Sequence, residues 1–379
     1  MIGWTHHHEP SALRVPPALP PTGLARTERF AFGVLPDGRR VDAVRLANNR
    51  GMSATILAYG ARLQALTMPD RSGIVADIAA GYATLEGYLA DPHYMGATIG
   101  RFANRIAGGS FSLDGEQHRV SVNESPHSLH GGTIGFDKRL WKIGAIAPEP
   151  SPCVTLHLFS PHGDQGYPGA LRVSATYALD DECNLSIEYA AETDRPTIVS
   201  LTNHVYWDLA GEGAGELALG HELTMPADHY LRHGPGGIPE GAPCQVAGSA
   251  FDFRLPASIR DQLIATSDQQ LRQAGGYDHT WVQPACGDRA PQWVATLRDP
   301  VSGRSFELFS NQPGLQLYTG NFLDGRLIGK SGKPYRKGEF LALEPQSLPD
   351  APNRPDFPSA RLDPGQDYRH VMVYRFRIS

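Results

Sequence analysis

Four stretches of the chain gather titratable, amide and aromatic side chains more densely than strand building requires. They are Gly-Arg-Phe-Ala-Asn-Arg at 100–105, Pro-His-Ser-Leu-His-Gly-Gly at 126–132, Thr-Asn-His-Val-Tyr-Trp-Asp-Leu-Ala-Gly at 202–211 and Leu-Ala-Leu-Glu-Pro-Gln-Ser at 341–347. A lesser cluster is Tyr-Asp-His-Thr-Trp at 277–281. Their members include His130, His204 and Glu344, side chains whose reference pKa values of about 6.5 and 4.3 can be moved by burial. A site that protonates one oxygen while deprotonating another needs such a pair. Asn104, Arg105 and Asp278 add the donors and acceptors that hold hydroxyl groups. Tryptophan or tyrosine supplies an apolar face with a polar tip.

Each cluster also has an ordinary structural explanation. His204 could be a hydrogen-bonded core histidine, and Glu344, after Leu341 and Leu343 and before a proline, could be solvated in a loop. His130-Gly131-Gly132 reads equally as a turn, Asn104 and Arg105 as a local cap and pair, and Trp207 and Trp281 as core. A mixed nitrogen–oxygen metal site from His130, His204, Asp278 and Glu344 is conceivable, but the four are scattered and lack helix-spaced pairing. No metal is therefore expected. There is no G-x-G-x-x-G after a strand, no P-loop, no H-E-x-x-H and no G-x-S-x-G, which removes the best support for nucleotide, zinc-peptidase and serine-hydrolase readings.

The elements that would position these residues are mostly strands. Leu171, Val173, Ala175, Tyr177 and Leu179 alternate with polar residues across 171–179; Leu185, Ile187, Tyr189 and Ala191 do so across 184–191. Met372, Tyr374, Phe376 and Ile378 repeat the pattern at the C-terminus. A period of two marks a half-buried strand. Asp114-Gly115, between 110–113 and 116–122, predicts a two-residue hairpin turn, and Asp37-Gly38 is a second candidate. Helical periodicity is confined to 84–90 and one short amphipathic piece within 259–274. With 41 Gly and 31 Pro spread along the chain, many short strands and few helices predict a β-sandwich or barrel, in one large all-β domain over 26–379.

Bulk properties narrow the partners. The 379 residues carry 34 Lys and Arg against 40 Asp and Glu, a net charge of −6, with no basic run. That argues against nucleic acid and leaves neutral ligands open. Cys153, Cys183, Cys244 and Cys286 are widely spaced, without a C-x-x-C pair, and are expected to be reduced. No apolar stretch reaches membrane-spanning length. Residues 1–25 read as a flexible, proline-rich leader carrying His6, His7 and His8, without an apolar signal-peptide core, so a cytoplasmic location is expected.

In order and spacing the clusters resemble the aldose 1-epimerase (galactose mutarotase) family over nearly all of the chain from about residue 28. The specific blocks are GATIGRFANRIAGGSF at 96–111, SLHGGTIGFDKRLW at 128–141, LTNHVYWDLAG at 201–211, LQLYTGNF at 315–322 and LALEPQSLPDAPNRPDFPS at 341–359. The resemblance implies a large antiparallel β-sandwich with an open cleft. It implies Glu344 as general base, His204 as general acid and His130 as a second histidine near the ring oxygen. Asn104, Arg105, Asp278 and Gln316 match positions that hold sugar hydroxyls. It implies anomer interconversion of a free aldohexose such as galactose or glucose, without cofactor, by a monomer or homodimer whose partner is the small-molecule sugar. A carbohydrate-binding module without turnover, or an epimerase for another sugar or a hexose phosphate using Arg62, Arg101 and Arg105, are the alternatives.

Overall fold

Alternation along the strands decides most of the architecture. The computed structural model describes residues 26–284 and 290–379. In it Leu171–Leu179 pairs antiparallel with Asn184–Thr193, which pairs in turn with Tyr368–Ile378. The alternating apolar residues of the first two strands, Leu171 to Leu179 and Leu185 to Ala191, are buried, as are Met372, Tyr374 and Phe376 of the third. These three strands form the middle of a nine-stranded antiparallel sheet running from Lys142–Ala147 at one edge to Ala257–Ser258 at the other.

A six-stranded antiparallel sheet carries most of the polar clusters. Its order is Tyr206–Trp207, Leu341–Gln346, Gly314–Tyr318, Asp278–Val282, His229–Tyr230 and Cys244–Gln245. A five-stranded meander from Thr27–Val34 to Val75–Asp77 completes the main layers. The six- and nine-stranded sheets meet through Trp207, whose ring centroid lies 5.4, 5.2 and 5.8 Å from those of Phe306, Tyr374 and Phe376. Each such fully buried aromatic contributes roughly 1.5–3 kcal/mol through area removed from water. One continuous apolar cluster draws on all three sheets. The strand pattern left sandwich or barrel open; the observed fold is the antiparallel β-sandwich that the family resemblance implies.

Two local expectations change. The amphipathic piece within 259–274 is two helices, Ile259–Ile264 and Gln269–Ala274. The Ser258 side chain accepts from the Asp261 N–H to cap the first, and Asp268 accepts from the Gln270 and Leu271 N–H groups to start the second. Thr266, Ser267 and Asp268 are residues that favour caps over helix interiors, so the helix breaks there. Asp114 (φ 53°) and Gly115 (φ 82°) make the expected tight turn between Ser110–Leu113 and Glu116–Arg119. At Asp37-Gly38 only the glycine takes positive φ. There the connection is longer, closed by Leu35 N–H to Arg39 O and Gly38 N–H to Leu35 O.

The helix predicted at 84–90 spans Leu85–Leu89. Cys153, Cys183 and Cys244 are free thiols; Cys286 and the leader call fall outside the described residues. Among those residues no helix is long and apolar enough to cross a membrane.

Candidate active site

Three neighbouring strands of the six-stranded sheet set the floor of the site. Thr280 stands opposite Gln316, Gln316 opposite Glu344, and Asp278 opposite Tyr318. Residues directly opposite share a face, as do alternate residues along one strand. Asp278, Thr280, Gln316, Tyr318 and Glu344 therefore project to one side, while Leu315, Leu317, Leu343, His279 and Trp281 project to the other. Gln316 Nε2 donates to Asp278 Oδ1 at 2.6 Å, and the Thr280 hydroxyl donates to Gln316 Oε1. Together these bonds set which way the Gln316 amide points.

The remaining groups come from strands and turns above that floor. Thr202–His204 pairs with Ala97–Ile99 and brings His204 Nε2 to 3.6 Å from Glu344 Oε1. Asn104 and His130 hold each other. The Asn104 N–H donates to His130 Nδ1 at 3.2 Å, and the His130 N–H donates to the Asn104 carbonyl at 3.0 Å. Both take left-handed backbone angles, φ 65° and 51°, which cost non-glycine residues on the order of 1–2 kcal/mol and persist only where the surroundings impose them. His130-Gly131-Gly132 is a turn and a site element at once. At Gly131 a Cβ would fall 1.9 Å from the Gly100 carbonyl oxygen, so glycine alone lets the turn approach that closely. Arg105 grips Glu124 through two bonds, Nε to Oε2 at 2.5 Å and Nη2 to Oε1 at 2.9 Å.

All seven residues singled out from the sequence line one cavity of about 350 Å³: Asn104, Arg105, His130, His204, Asp278, Gln316 and Glu344. Clefts of this size suit a small molecule. Burial raises the Glu344 carboxyl well above its ordinary range, assisted by Asp278 and opposed by Arg105. Burial pushes the His204 imidazole down to about 3 and His130 well below its usual value, with His204 and Arg105 adding to the effect on His130. For Arg105, burial works against the charged form, but Asp278 and Glu124 outweigh it and its pKa is raised. The dyad of Glu344 and His204 is thus a pair of buried groups both driven toward neutrality. It can hold one proton on either partner without changing its net charge. His204 Nδ1 has no hydrogen-bond partner from another residue, and Glu344 Oε2 has none.

Several side chains of the cavity were not anticipated. Tyr94, Tyr206, Tyr318 and Phe322 line it, as does Glu124. Trp207 and Trp281 are core residues, 0% and 1% exposed, so the aromatic surface open to a ligand is tyrosine and phenylalanine. Arg62 and Arg101 do not line the cavity. Arg62 is bound to Asp91 and to the Met95 and Asp137 carbonyls, and Arg101 to carbonyls at 160–161 and 168–169. A three-arginine phosphate clamp is not formed. His130, His204 and Glu344 do place possible ligand atoms within 4.8 Å of one another. However, a neutral His130 that accepts at Nδ1 carries its proton on Nε2, the nitrogen a cation would have to take. This hydrogen bonding favours proton exchange over metal ligation.

Comparison with known proteins gives a concordant picture. Residues 42–375 match the family model described as aldose 1-epimerase. Galactose mutarotase of Rattus norvegicus is 40% identical over 357 residues, 94% of this chain and 100% of that protein. Aldose 1-epimerase of Escherichia coli K12 is 38% identical over 343 residues, covering 90% and 96%. Among solved structures, the aldose epimerase homologue of C. elegans superposes with a TM-score of 0.80 at 32% identity, over 88% of this chain and 98% of that one. Galactose 1-epimerase of Lactobacillus acidophilus gives 0.81 at 28%, over 94% and 100%. With its sandwich, its ordered blocks and matches that run nearly end to end, the chain belongs to the aldose 1-epimerase family.

Proposed function

We propose that this isomerase interconverts the α and β anomers of a free aldohexose, with Glu344 and His204 as its proton-exchanging pair. Residues 26–379 act as one mutarotase domain in this reading. The observation that carries it is the 3.6 Å approach of His204 Nε2 to Glu344 Oε1 at the floor of a polar cavity. From the ion-paired distribution of the dyad's single proton, the Glu344 carboxylate takes the proton of the C1 hydroxyl while protonated His204 gives one to the ring oxygen; the C1–O5 bond opens and both groups are left in the neutral forms that burial favours. The aldehyde turns about C1–C2. Attack by the O5 hydroxyl on the other face, with the proton roles reversed, closes the second anomer and restores the dyad.

Burial makes this economical, because the pair needs only one exchangeable proton and no net charge enters or leaves it. His130, with Nδ1 committed to Asn104, presents its Nε2–H as a donor beside His204. Asp278 and Gln316 present their remaining capacity to hydroxyls, and Arg105 stays cationic against Glu124. Arg105 is the one arginine or lysine among the described lining residues, and it is already paired, which supports an unphosphorylated sugar. Polarimetry on freshly dissolved α-D-glucose and α-D-galactose tests the reading: the protein should speed the approach to anomeric equilibrium above the buffer rate. Sugar binding with a rate equal to the buffer blank would leave a carbohydrate-binding module instead.

A further inference from the structure

Two tyrosine rings stack on His204, Tyr206 with centroids 5.0 Å apart and planes inclined by 29°, and Tyr94 at 5.9 Å and 27°. His130 and Tyr318 meet the same imidazole edge-on, at 5.3 Å and 81° and at 6.5 Å and 72°. Buried histidines that become cations usually have a carboxylate or carbonyl of another residue on the far nitrogen. Here Nδ1 has no such partner. The residue's own backbone hydrogen bond favours the charged form but does not outweigh burial, which leaves a cost on putting a positive charge on this ring.

We propose that Tyr94 and Tyr206 are positioning residues whose π faces hold the His204 imidazole flat against Glu344 and stabilise its protonated form during ring opening. This rests on His204 being the general acid. An aromatic face attracts a cation within about 6 Å of its centroid, and more strongly where water is excluded. Both rings meet that distance, and burial keeps both phenols neutral, so each presents an uncharged π system. Apart from its own backbone, the other groups facing His204 cannot do this work. Glu344 is its proton partner, while His130 would repel a second cation. His93 and Arg62 also disfavour positive charge on it. Tyr318 presents only a perpendicular contact.

The test is a set of Tyr206→Phe, Tyr206→Leu, Tyr94→Phe and Tyr94→Leu variants, measured by polarimetry and by NMR titration of the His204 ring. The phenylalanine variants keep the π face and should retain kcat within about threefold, whereas each leucine variant should lose about tenfold in kcat with KM little changed. In the leucine variants His204 should become harder to protonate. Equal kcat and equal titration for leucine and phenylalanine would overturn the proposal, since the rings would then only fill space. A loss confined to KM would overturn it too, because the tyrosines would be touching sugar and not acting through the histidine. Combining Tyr206→Leu with His204→Asn separates this from the underlying reading. If the tyrosine acts through His204, its effect vanishes in the double variant. If His204→Asn alone retains near-native turnover, the acid assignment itself has failed, whatever the tyrosines do.

Discussion

His204 and His370 are both buried histidines on strands, one lining the cavity and one in the middle of the nine-stranded sheet. Burial lowers both, to about 3 and about 4. Their hydrogen bonding separates them. His370 Nδ1 lies 2.8 Å from the Leu201 carbonyl and so carries the ring proton, which leaves Nε2 to accept from the Ser310 hydroxyl at 3.1 Å. Every polar atom of that ring is used. His204 lines the cavity, has no partner from another residue on Nδ1, and faces Glu344 at 3.6 Å through Nε2, too long for a hydrogen bond. A depressed pKa therefore marks burial in both, and unspent hydrogen-bonding capacity beside open space marks the group available to a substrate.

The largest effect should come from the other half of the dyad. Glu344→Gln should lower kcat by about 10³-fold or more, while removal of a buried ionisable group leaves the melting temperature level or raised. Near-native turnover would take Glu344 out of the base role. His204→Asn should cost about 10²–10³-fold in kcat with little change in stability. The mirror-image variant, His370→Asn, should do the reverse. It breaks a satisfied buried pair of hydrogen bonds, costing about 1–3 kcal/mol of stability in denaturant titrations, yet should keep turnover per folded molecule within about twofold. Should folded His370→Asn lose activity as His204→Asn does, the contrast between the two sites collapses.

Acid stability sharpens it further. For both histidines the folded pKa lies below the unfolded value of about 6.5, so each contributes stability that is present above that value. The contribution is lost as pH falls toward about 4 for His370 and about 3 for His204. Glu344 has the opposite sign: its raised folded pKa contributes stability at low pH that disappears as pH rises through that value. Urea midpoints from pH 7 down to 4 should therefore fall in the wild type and fall less steeply in His370→Asn. An unchanged slope would mean that other groups dominate acid unfolding. The smallest effect is expected at Phe322, 63% exposed at the mouth of the cavity and bordering a second, larger cleft. Phe322→Ala should raise KM about two- to fivefold and leave kcat alone, as for a platform under a sugar's C–H face.

Alternation made Leu171–Leu179 and its neighbours legible, because one face of that sheet is buried and the other is not. It fails for Leu341–Gln346, where every residue is buried and no pattern says which face Glu344 takes. The cross-strand register supplies that answer, and register is a relation between distant segments. Six of the seven polar site residues lie in the ordered blocks of family resemblance, and the seventh, Asp278, in the lesser Tyr-Asp-His-Thr-Trp cluster at 277–281. Tyr94, Tyr206 and Tyr318 were not singled out, since a tyrosine in or beside a strand looks like strand material until its neighbours are known. The break at Thr266–Asp268 was hidden for a different reason: apolar spacing continued across it while capping chemistry interrupted it.

The shared rung of Gln316 and Glu344 has a consequence for how this sheet can be assembled at all. If Leu341–Gln346 slid by one residue against Gly314–Tyr318, Leu343 would enter the cavity and Glu344 would turn into the apolar interior between the sheets. A carboxylate there, without a partner, is among the most costly things a fold can bury. The group proposed to open the sugar ring is thus also a proofreader of strand pairing, rejecting the misaligned sheet before any substrate arrives.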